Sequence, residues 1–298
     1  MEFLTLLARL ADLSSETAPG PSGAPRREAL ARLGQAGAAL LPAVLTALPS
    51  ATTAAPQDNS TPLDVLRLAL TLEYLESDFY ARALALPNAT AFFGSADNLV
   101  AIQTISAHEA QHVALLQRLL TDAGATVPAK PNFDFTGSKN GTQAALYPDV
   151  FTNLDTFLKV AQLLEDAGVR AYKGQAEFVL ADNNLLEALL RTHSTEARHA
   201  SHIRTMRRQR GAVVKSWVSP ADAPITTAGT VPNQAYAGES VVAQYVPGPR
   251  LVPFETTLPI NVGTPQLSRE AILAKVMEAF DEPIDAPTAT QLAQLFIH

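Results

Sequence analysis

The hydrophobic positions between residues 61 and 210 recur at intervals of three and four, the spacing that places them on one face of an α-helix. Thr61, Pro62 and Asp64 form a typical helix start, with an N-cap residue, a proline in the first turn and an early acidic residue. Pro87 is a helix breaker at which the first periodic stretch ends. The pattern predicts four long helices, over residues 61–86, 95–124, 153–180 and 184–210.

The connections between these helices have unequal lengths. Residues 87–94 and the segment ADNN at 181–184 are short turns, whereas residues 125–150 form a long stretch without periodicity, rich in Pro, Gly, Asn and Lys. The chain therefore runs as a hairpin, a long crossover and a second hairpin. An up-down-up-down bundle needs only short loops, so this order predicts an all-α, four-helix bundle with a long central crossover.

Two flanking segments surround the predicted bundle, which we assign to residues 61–211. In residues 1–60, Arg26 and Arg27 precede an apolar stretch at 36–48 and the small-residue run SATTAAP. This order resembles a twin-arginine export leader, which would send the chain to the bacterial periplasm. The alternative is an N-terminal helical arm that packs on the bundle of a cytoplasmic protein. Both interpretations stay open, and the apolar stretch is too short to span a bilayer.

The C-terminal segment, residues 212–298, is only partly regular. Extended stretches rich in Val, Pro, Thr and Gly come first, and SREAILAKVMEAF and TATQLAQLF then predict short helices. We expect this extension to wrap the bundle or cover one of its ends, with a subunit interface as the alternative. Such a bulky extension does not suit a 24-subunit storage shell, although a smaller homo-oligomer is compatible with it.

Composition and charge exclude several classes of function. The net charge of −7 argues against a nucleic-acid-binding protein, which needs a basic face. One arginine-rich run closes the fourth predicted helix, and we interpret it as a solvated helix end that meets the negative pole of the helix dipole. Its members are Arg198, Arg204, Arg207, Arg208 and Arg210. The absence of Cys excludes thiolate-bound iron, iron–sulfur clusters and Cys-type zinc sites.

Candidate metal ligands lie on all four predicted helices. The second and fourth helices each carry a Glu-x-x-His pair, and residues three apart share one helix face, so each carboxylate and imidazole can point at one ion. The first and third helices each supply one Glu at the same distance from the turn. Oxygen and nitrogen ligands of this kind suit iron or manganese, and the set serves two ions. It comprises Glu73, Glu109, His112, Glu165, Glu196 and His199.

Other polar residues accompany these six. Tyr80 and Tyr172 each follow a candidate ligand by seven residues, so they donate to ligand carboxylates, relay electrons or pack in the core. His193, one turn before Glu196, either bonds a ligand or has a surface or interhelical role. We expect Glu76 to be solvated, because the third helix has no matching acid. Asp166, which follows a candidate ligand, is expected beside the ligands or at the surface.

Four stretches resemble the ferritin-like domain family that includes desiccation-related proteins. They are LTLEYLESDFY, AHEAQHVALL, LLEDAGVRAYKGQA and THSTEARHASHIR, which contain the six candidate ligands. The resemblance implies a ferritin-like bundle with a di-iron or di-manganese carboxylate site. It also implies that Glu73 and Glu165 are terminal ligands, that Glu109 and Glu196 bridge, and that each ion has one His.

The resemblance and the ligand set together indicate a non-haem dimetal oxidoreductase in stress protection, with two Fe or Mn ions as cofactor. Its partners would be O2 or peroxide, and the activity a ferroxidase or a catalase/peroxidase-like reaction. Two alternatives stay open on the same bundle, a structural protein associated with stress or desiccation and a metal-sequestering protein. Neither nucleic-acid binding nor an integral membrane span is expected.

Overall fold

The computed structural model describes residues 60–239, 241, 243–246, 250–253 and 268–298. The expected N-terminal arm or export leader lies outside these residues, apart from Ser60. Within them, no helix is both long enough and apolar enough to cross a membrane.

The described residues form a helical protein in which the four predicted long helices are all present. The helices are α1 (Pro62–Leu84), α2 (Ala89–Phe93), α3 (Ala96–Asp122), α4 (Leu154–Gln175), α5 (Asn183–Gln209), α6 (Arg269–Ala279) and α7 (Ala286–Gln294). The short helix α2 occupies the segment predicted as a plain turn. Helix α4 ends earlier than predicted, because Ala176–Val179 continue the chain as a 3-10 turn.

Side-chain caps explain where the long helices begin. Thr61 accepts a hydrogen bond from the backbone N–H of Asp64, whose side chain accepts one from the backbone N–H of Thr61, which completes a capping box. Asn153 caps α4, and Asp182 caps α5 by accepting from the N–H groups of Asn184 and Leu185. These bonds satisfy backbone donors that the helix itself leaves without partners.

The cap of α5 gives the first testable expectation. Asp182→Ala should lower the free energy of unfolding by about 1 kcal/mol, the usual contribution of an acidic N-cap. Chemical denaturation of the metal-free protein measures this. Asp122→Ala is the matched control, because Asp122 is the exposed last residue of α3. Equal losses for the two variants would contradict the assigned capping role.

The four long helices pack as a bundle. The hairpin partners α1 and α3 contact each other along their lengths, as do α4 and α5, and the two hairpins meet through α1 with α4 and α3 with α5. The long connection between α3 and α4 contains no helix, as predicted, and its Phe133 forms an isolated bridge with Ile297 near the C-terminus. Four helices therefore enclose one interior, and the site residues project into it.

The C-terminal extension packs on the bundle, the first of the two expected arrangements. Its helix α7 contacts α1 and α4, and a 3-10 segment, Val231–Tyr236, contacts α4. Two short antiparallel strands, β1 (Ala243–Val246) and β2 (Arg250–Pro253), pair with Ala243 opposite Pro253. Both predicted short helices are present as α6 and α7. Helix α4 contacts the other bundle helices on one side and the extension on another. Every residue of α4 from 160 to 172 is therefore buried.

Arg170 fixes the extension to α4. Its guanidinium is fully buried and donates to the backbone oxygens of Ala235, Glu282 and Ala237, the last at 2.6 Å. The nearby Glu239 carboxylate, 3.2 Å from the guanidinium, supplies an opposite charge. A buried arginine needs such partners, because an unpaired internal charge is costly.

The prediction that the arginine run is solvated is wrong for two members. The side chain of Arg204 is 1% exposed, and it donates to Asp166 at 3.0 and 2.5 Å and to Asp222 at 2.6 Å. Arg207 is also buried and donates to Gln162. The extension supplies Asp222 and folds over this end of α5, so a helix end that looks solvated in the sequence becomes internal.

Candidate metal centre

The structure brings the six residues predicted as ligands together inside the bundle. All four carboxylates are completely buried, and the two imidazoles are 9% and 4% exposed. Each of the four long helices contributes at least one of them: Glu73 from α1, Glu109 and His112 from α3, Glu165 from α4, and Glu196 and His199 from α5.

These six residues form two overlapping groups, each of which could hold a metal ion. The first group adds Glu73 and His112 to a shared pair of carboxylates, Glu109 and Glu196. The second group adds Glu165 and His199 to the same pair. Within each group the potential ligand atoms all lie within 4.8 Å of one another. The arrangement therefore has an approximate twofold symmetry, with Glu109 and Glu196 common to both halves.

Both histidines turn the same ring nitrogen towards the carboxylates. His112 Nδ1 lies 3.2 Å from Glu73 Oε2, 3.1 Å from Glu109 Oε2 and 2.9 Å from Glu196 Oε1. His199 Nδ1 lies 2.7 Å from Glu109 Oε1 and 3.5 Å from both Glu165 Oε2 and Glu196 Oε2. Each imidazole nitrogen thus faces three carboxylates, two of which it shares with the other imidazole.

The crowded carboxylates and imidazoles shift one another's pKa values. Burial opposes the charged form of His112, but the surrounding carboxylates outweigh this and raise its pKa to about 12. The same balance raises the pKa of His199 well above its ordinary value. Burial also raises the pKa of Glu196, yet the two imidazolium groups outweigh it and lower that pKa to about 2. In the metal-free protein, two imidazolium ions therefore hold Glu196 as a carboxylate.

The other carboxylates show the opposite shift. Burial, together with repulsion from Glu196, raises the pKa of Glu73 and raises that of Glu109 further. Burial raises the pKa of Glu165 to about 7. These groups share a small volume with too little positive charge to keep them all ionised. Added cations would restore the ionised form of each.

Several atoms of the cluster lack hydrogen bonds, and this tests whether a cation fits. Among the described residues, Glu109 Oε1, Glu165 Oε2, both oxygens of Glu196 and His199 Nδ1 are buried without a hydrogen-bond partner. They approach one another closely but without hydrogen-bond angles. Buried polar atoms without partners are rare and costly. Oxygen and nitrogen atoms that converge without bonding each other are a donor set that suits a hard or borderline cation.

Two tyrosines each donate a hydrogen bond from one hairpin to a cluster carboxylate on the other hairpin. Tyr80 of α1 donates to Glu165 of α4, and Tyr172 of α4 donates to Glu73 of α1 at 2.5 Å. Burial and the adjacent carboxylates raise the pKa of both hydroxyls well above the ordinary value, so both remain donors. The repeated Glu-x6-Tyr spacing thus reflects a reciprocal exchange between hairpins. The structure has both hydroxyls donating to carboxylates, one of the roles left open for these tyrosines, and both side chains also pack in the core.

Removal of either hydroxyl should destabilise the metal-free protein. We expect Tyr80→Phe and Tyr172→Phe each to lower the free energy of unfolding by about 2 kcal/mol, because a buried carboxyl oxygen then loses its hydrogen-bond donor. Thermal and denaturant unfolding would measure it. Tyr74→Phe is the control, because its hydroxyl bonds only the neutral groups of Pro128 and Gln117. Losses no larger than that of Tyr74→Phe would contradict the assignment.

Two further histidines lie near the cluster and have different contacts. His108 Nδ1 lies 2.9 Å from His199 Nε2, so it contacts the ring nitrogen that faces away from the carboxylates. Such a partner orients a ligand imidazole, and the spacing pattern of the ligands does not reveal this contact of His108. His193 Nδ1 instead lies 3.0 Å from the carbonyl oxygen of Val169, which is the interhelical role and not a contact with the ligands.

Two acidic residues beside the cluster differ from expectation. Glu76 is 2% exposed, so the prediction that it is solvated is wrong. The sequence pattern missed it because Glu76 faces a glycine, Gly168, and not a second acid. Asp166 points away from the cluster and is buried in its ion pair with Arg204. The extension explains this burial, because its Tyr236 donates to Asp166 at 2.7 Å.

Comparisons with known proteins agree with this geometry. The sequence model of a family described as a ferritin-like domain matches residues 61–209, which is half of the 298-residue chain. The matched stretch starts at the N-cap of α1 and ends with the last residue of α5. It therefore spans the bundle and all six clustered residues. A search of curated proteins finds no match to the chain.

Proposed function

This chain belongs to the ferritin-like domain family, and from that membership we propose that it is a non-haem dimetal protein that binds two Fe or Mn ions. We further propose that its reaction in stress protection is the oxidation of Fe(II) or the reduction or disproportionation of O2 or peroxide. The single observation that carries this proposal is the pair of overlapping ligand groups that share Glu109 and Glu196.

Charge balance supports two divalent ions. The two groups contain four carboxylates in total and one imidazole each. Four ionised carboxylates neutralise two divalent ions, and neutral imidazoles complete the ligands without adding charge. Glu109 and Glu196, which belong to both groups, would help to hold both ions, Glu73 with His112 would hold one of them, and Glu165 with His199 the other. Ion binding would release the protons that the imidazoles hold in the metal-free protein.

The proposed chemistry divides between the ions and the chain. A pair of Fe or Mn ions supplies the redox equivalents for two-electron reduction of O2 or peroxide. The chain holds the ligands on rigid helices, and the hydroxyls of Tyr80 and Tyr172 fix the two outer carboxylates. Burial of all four carboxylates limits access of water. His108 holds the ring of His199 in place from outside the cluster.

Metal loading tests the proposal directly. The purified full chain is freed of metal, loaded anaerobically with Fe(II) or Mn(II), and analysed by elemental analysis after removal of excess ion. We expect two ions per chain, and then oxidation of Fe(II) on exposure to O2 or disproportionation of added peroxide above the rate of the free ions. Failure to retain either ion would overturn the proposal. Retention without either reaction would overturn its redox part.

The contacts within the metal-free cluster favour a second candidate, a structural role. The Tyr–Glu hydrogen bonds join α1 to α4, and the His–Glu ion pairs join α3 to α5 and α1 and join α5 to α4, so all four helices are already connected. In that case a bound ion would add stability and support no turnover. A large rise in unfolding temperature on loading, with neither Fe(II) oxidation nor peroxide consumption above the background rate, would identify this role.

A further inference from the structure

Glu76 is a buried carboxylate that the six proposed ligands leave unused. It lies on α1 one turn after Glu73 and one turn before Tyr80. Its side chain is 2% exposed, and among the described residues its Oε2 has no hydrogen-bond partner and no cationic side chain pairs with it. A buried acid in this state costs several kcal/mol relative to an apolar residue, so no structural contact accounts for it.

The position of Glu76 follows from how α1 and α4 face each other. Three pairs of residues meet across this interface: Glu73 with Tyr172, Glu76 with Gly168, and Tyr80 with Glu165. The residue numbers of successive pairs rise along α1 and fall along α4, so the two helices are antiparallel. The pair of Glu76 with Gly168 lies between the two Tyr–Glu pairs. Glu76 is therefore placed between the outer carboxylates of the two ligand groups.

Gly168 is what gives Glu76 its space. Gly168 follows Glu165 by three residues, as Glu76 follows Glu73, so the two positions are equivalent in the repeat. A Cβ atom at Gly168 would lie 3.0 Å from Glu76 Oε1. The centre of the interface thus holds one carboxylate, from α1, and no equivalent carboxylate from α4. The approximate twofold symmetry does not hold at this position.

The surroundings of Glu76 are acidic on one side and apolar on the other. Burial raises the pKa of Glu76 well above its usual value, and repulsion from four carboxylates adds to this, namely Glu196, Glu165, Glu109 and Glu73. On its other side lies a cavity of about 20 Å³, lined by side chains such as Leu75 and Leu292. That volume holds about one water molecule. A cavity of this size therefore borders the Glu76 carboxylate directly.

We propose that Glu76 is a seventh ligand of the metal centre, a carboxylate that turns towards the ions when the site is loaded. This inference rests on the proposed function. A cation held between the two ligand groups would give its unpartnered oxygen a charged partner. Glu109 and Glu196 reach the ions from α3 and α5, and Glu76 completes the ligands from the α1 side.

Cobalt(II) is a suitable probe, because its visible absorption depends on the number and type of ligands. The full chain, freed of metal, is titrated with Co(II), and binding is followed by calorimetry and by the visible spectrum. For Glu76→Gln we expect two bound ions, a loss of affinity of about tenfold or more for at least one of them, and a changed spectrum. Glu187→Gln removes the same charge from an exposed position on α5 and should match the wild type.

A second variant tests the geometry without removing the charge. Gly168→Ala places a methyl group against Glu76 Oε1 and should displace that carboxylate. We expect it to weaken Co(II) binding in the wild-type background and to have no further effect in the Glu76→Gln background, because the displaced ligand is then already absent. Circular dichroism and thermal unfolding of each metal-free variant establish that it is folded.

The possible results separate this inference from the proposed function. A folded Glu76→Gln protein whose Co(II) affinity stays within about twofold of wild type, with an unchanged spectrum, would overturn the seventh-ligand role and leave two-ion binding intact. Equal effects of Gly168→Ala in both backgrounds would also overturn it, because they would show that the methyl group acts independently of Glu76. A wild-type chain that binds no Co(II) would overturn the proposed function itself.

Discussion

Glu196→Gln should weaken binding of the ion pair by more than about 100-fold, since losses of 10–100-fold follow even from changes outside the ligands themselves. Glu196 belongs to both ligand groups, so its loss affects both ions at once. Calorimetric titration of the metal-free chain with Mn(II) would measure the change. Glu187→Gln, the exposed change on the same helix, should leave affinity unaltered.

The same substitution should also affect the protein without metal. Glu196 is held as a carboxylate between two imidazolium groups, whereas burial favours the protonated form of Glu109. Glu196→Gln should therefore lower the free energy of unfolding of the metal-free protein by about 2 kcal/mol. Glu109→Gln mimics the protonated acid and should change that free energy little, although it should also impair ion binding. Equal stability losses for the two variants would contradict the assigned protonation states.

Arg204→Ala should lower the free energy of unfolding by about 3–5 kcal/mol, because it leaves the buried Asp166 carboxylate without its cation. The two side chains are 1% and 3% exposed, and the guanidinium donates to both oxygens of Asp166. Denaturant unfolding of the metal-free protein would measure the loss. Arg198→Ala removes a charge from an exposed site on the same helix, where its only described bond is to Thr195, and should cost about 0.5 kcal/mol or less.

A paired replacement separates loss of the ion pair from loss of packing. If the penalty of Arg204→Ala comes from an uncompensated charge, Asp166→Leu combined with Arg204→Met should recover most of the lost stability, since apolar pairs often replace buried ion pairs without net cost. A double variant no more stable than Arg204→Ala would show that the penalty lies elsewhere, for example in the contacts to Asp222 and the backbone of Trp217.

The sequence predicts the bundle and the cluster well because both depend on local regularities. Helical periodicity and caps such as Thr61 locate the long helices, and equal distance from the turns places Glu73 level with Glu109 and Glu165 level with Glu196. The Glu-x6-Tyr repeat indicates that the two tyrosines occupy equivalent positions and leaves contact with the ligands as one of their possible roles. Each tyrosine bonds a carboxylate of the other hairpin because of the way the helices pack against each other. Spacing along the chain does not contain that information.

The incorrect predictions share a physical cause. Arg204 and Arg207 look like a solvated helix end, and they become internal because a segment distant in sequence folds over them. Glu76 looks unmatched because its equivalent in the repeat is Gly168, and the sequence alone does not show that the small residue makes room for the large one. Burial of polar side chains depends on long-range packing, so local patterns predict it least reliably.

The tyrosine bonds between the hairpins have a consequence for how the proposed two-ion centre would fill. Tyr80 of one hairpin bonds Glu165 of the other, and Tyr172 bonds Glu73, so ordering one half also orders groups that the other half needs. Occupancy of the first position should then lower the entropic cost of occupying the second, which produces positive cooperativity through shared ordering. Binding isotherms would be sigmoidal, and at limiting metal the population would divide mainly into empty and fully occupied chains.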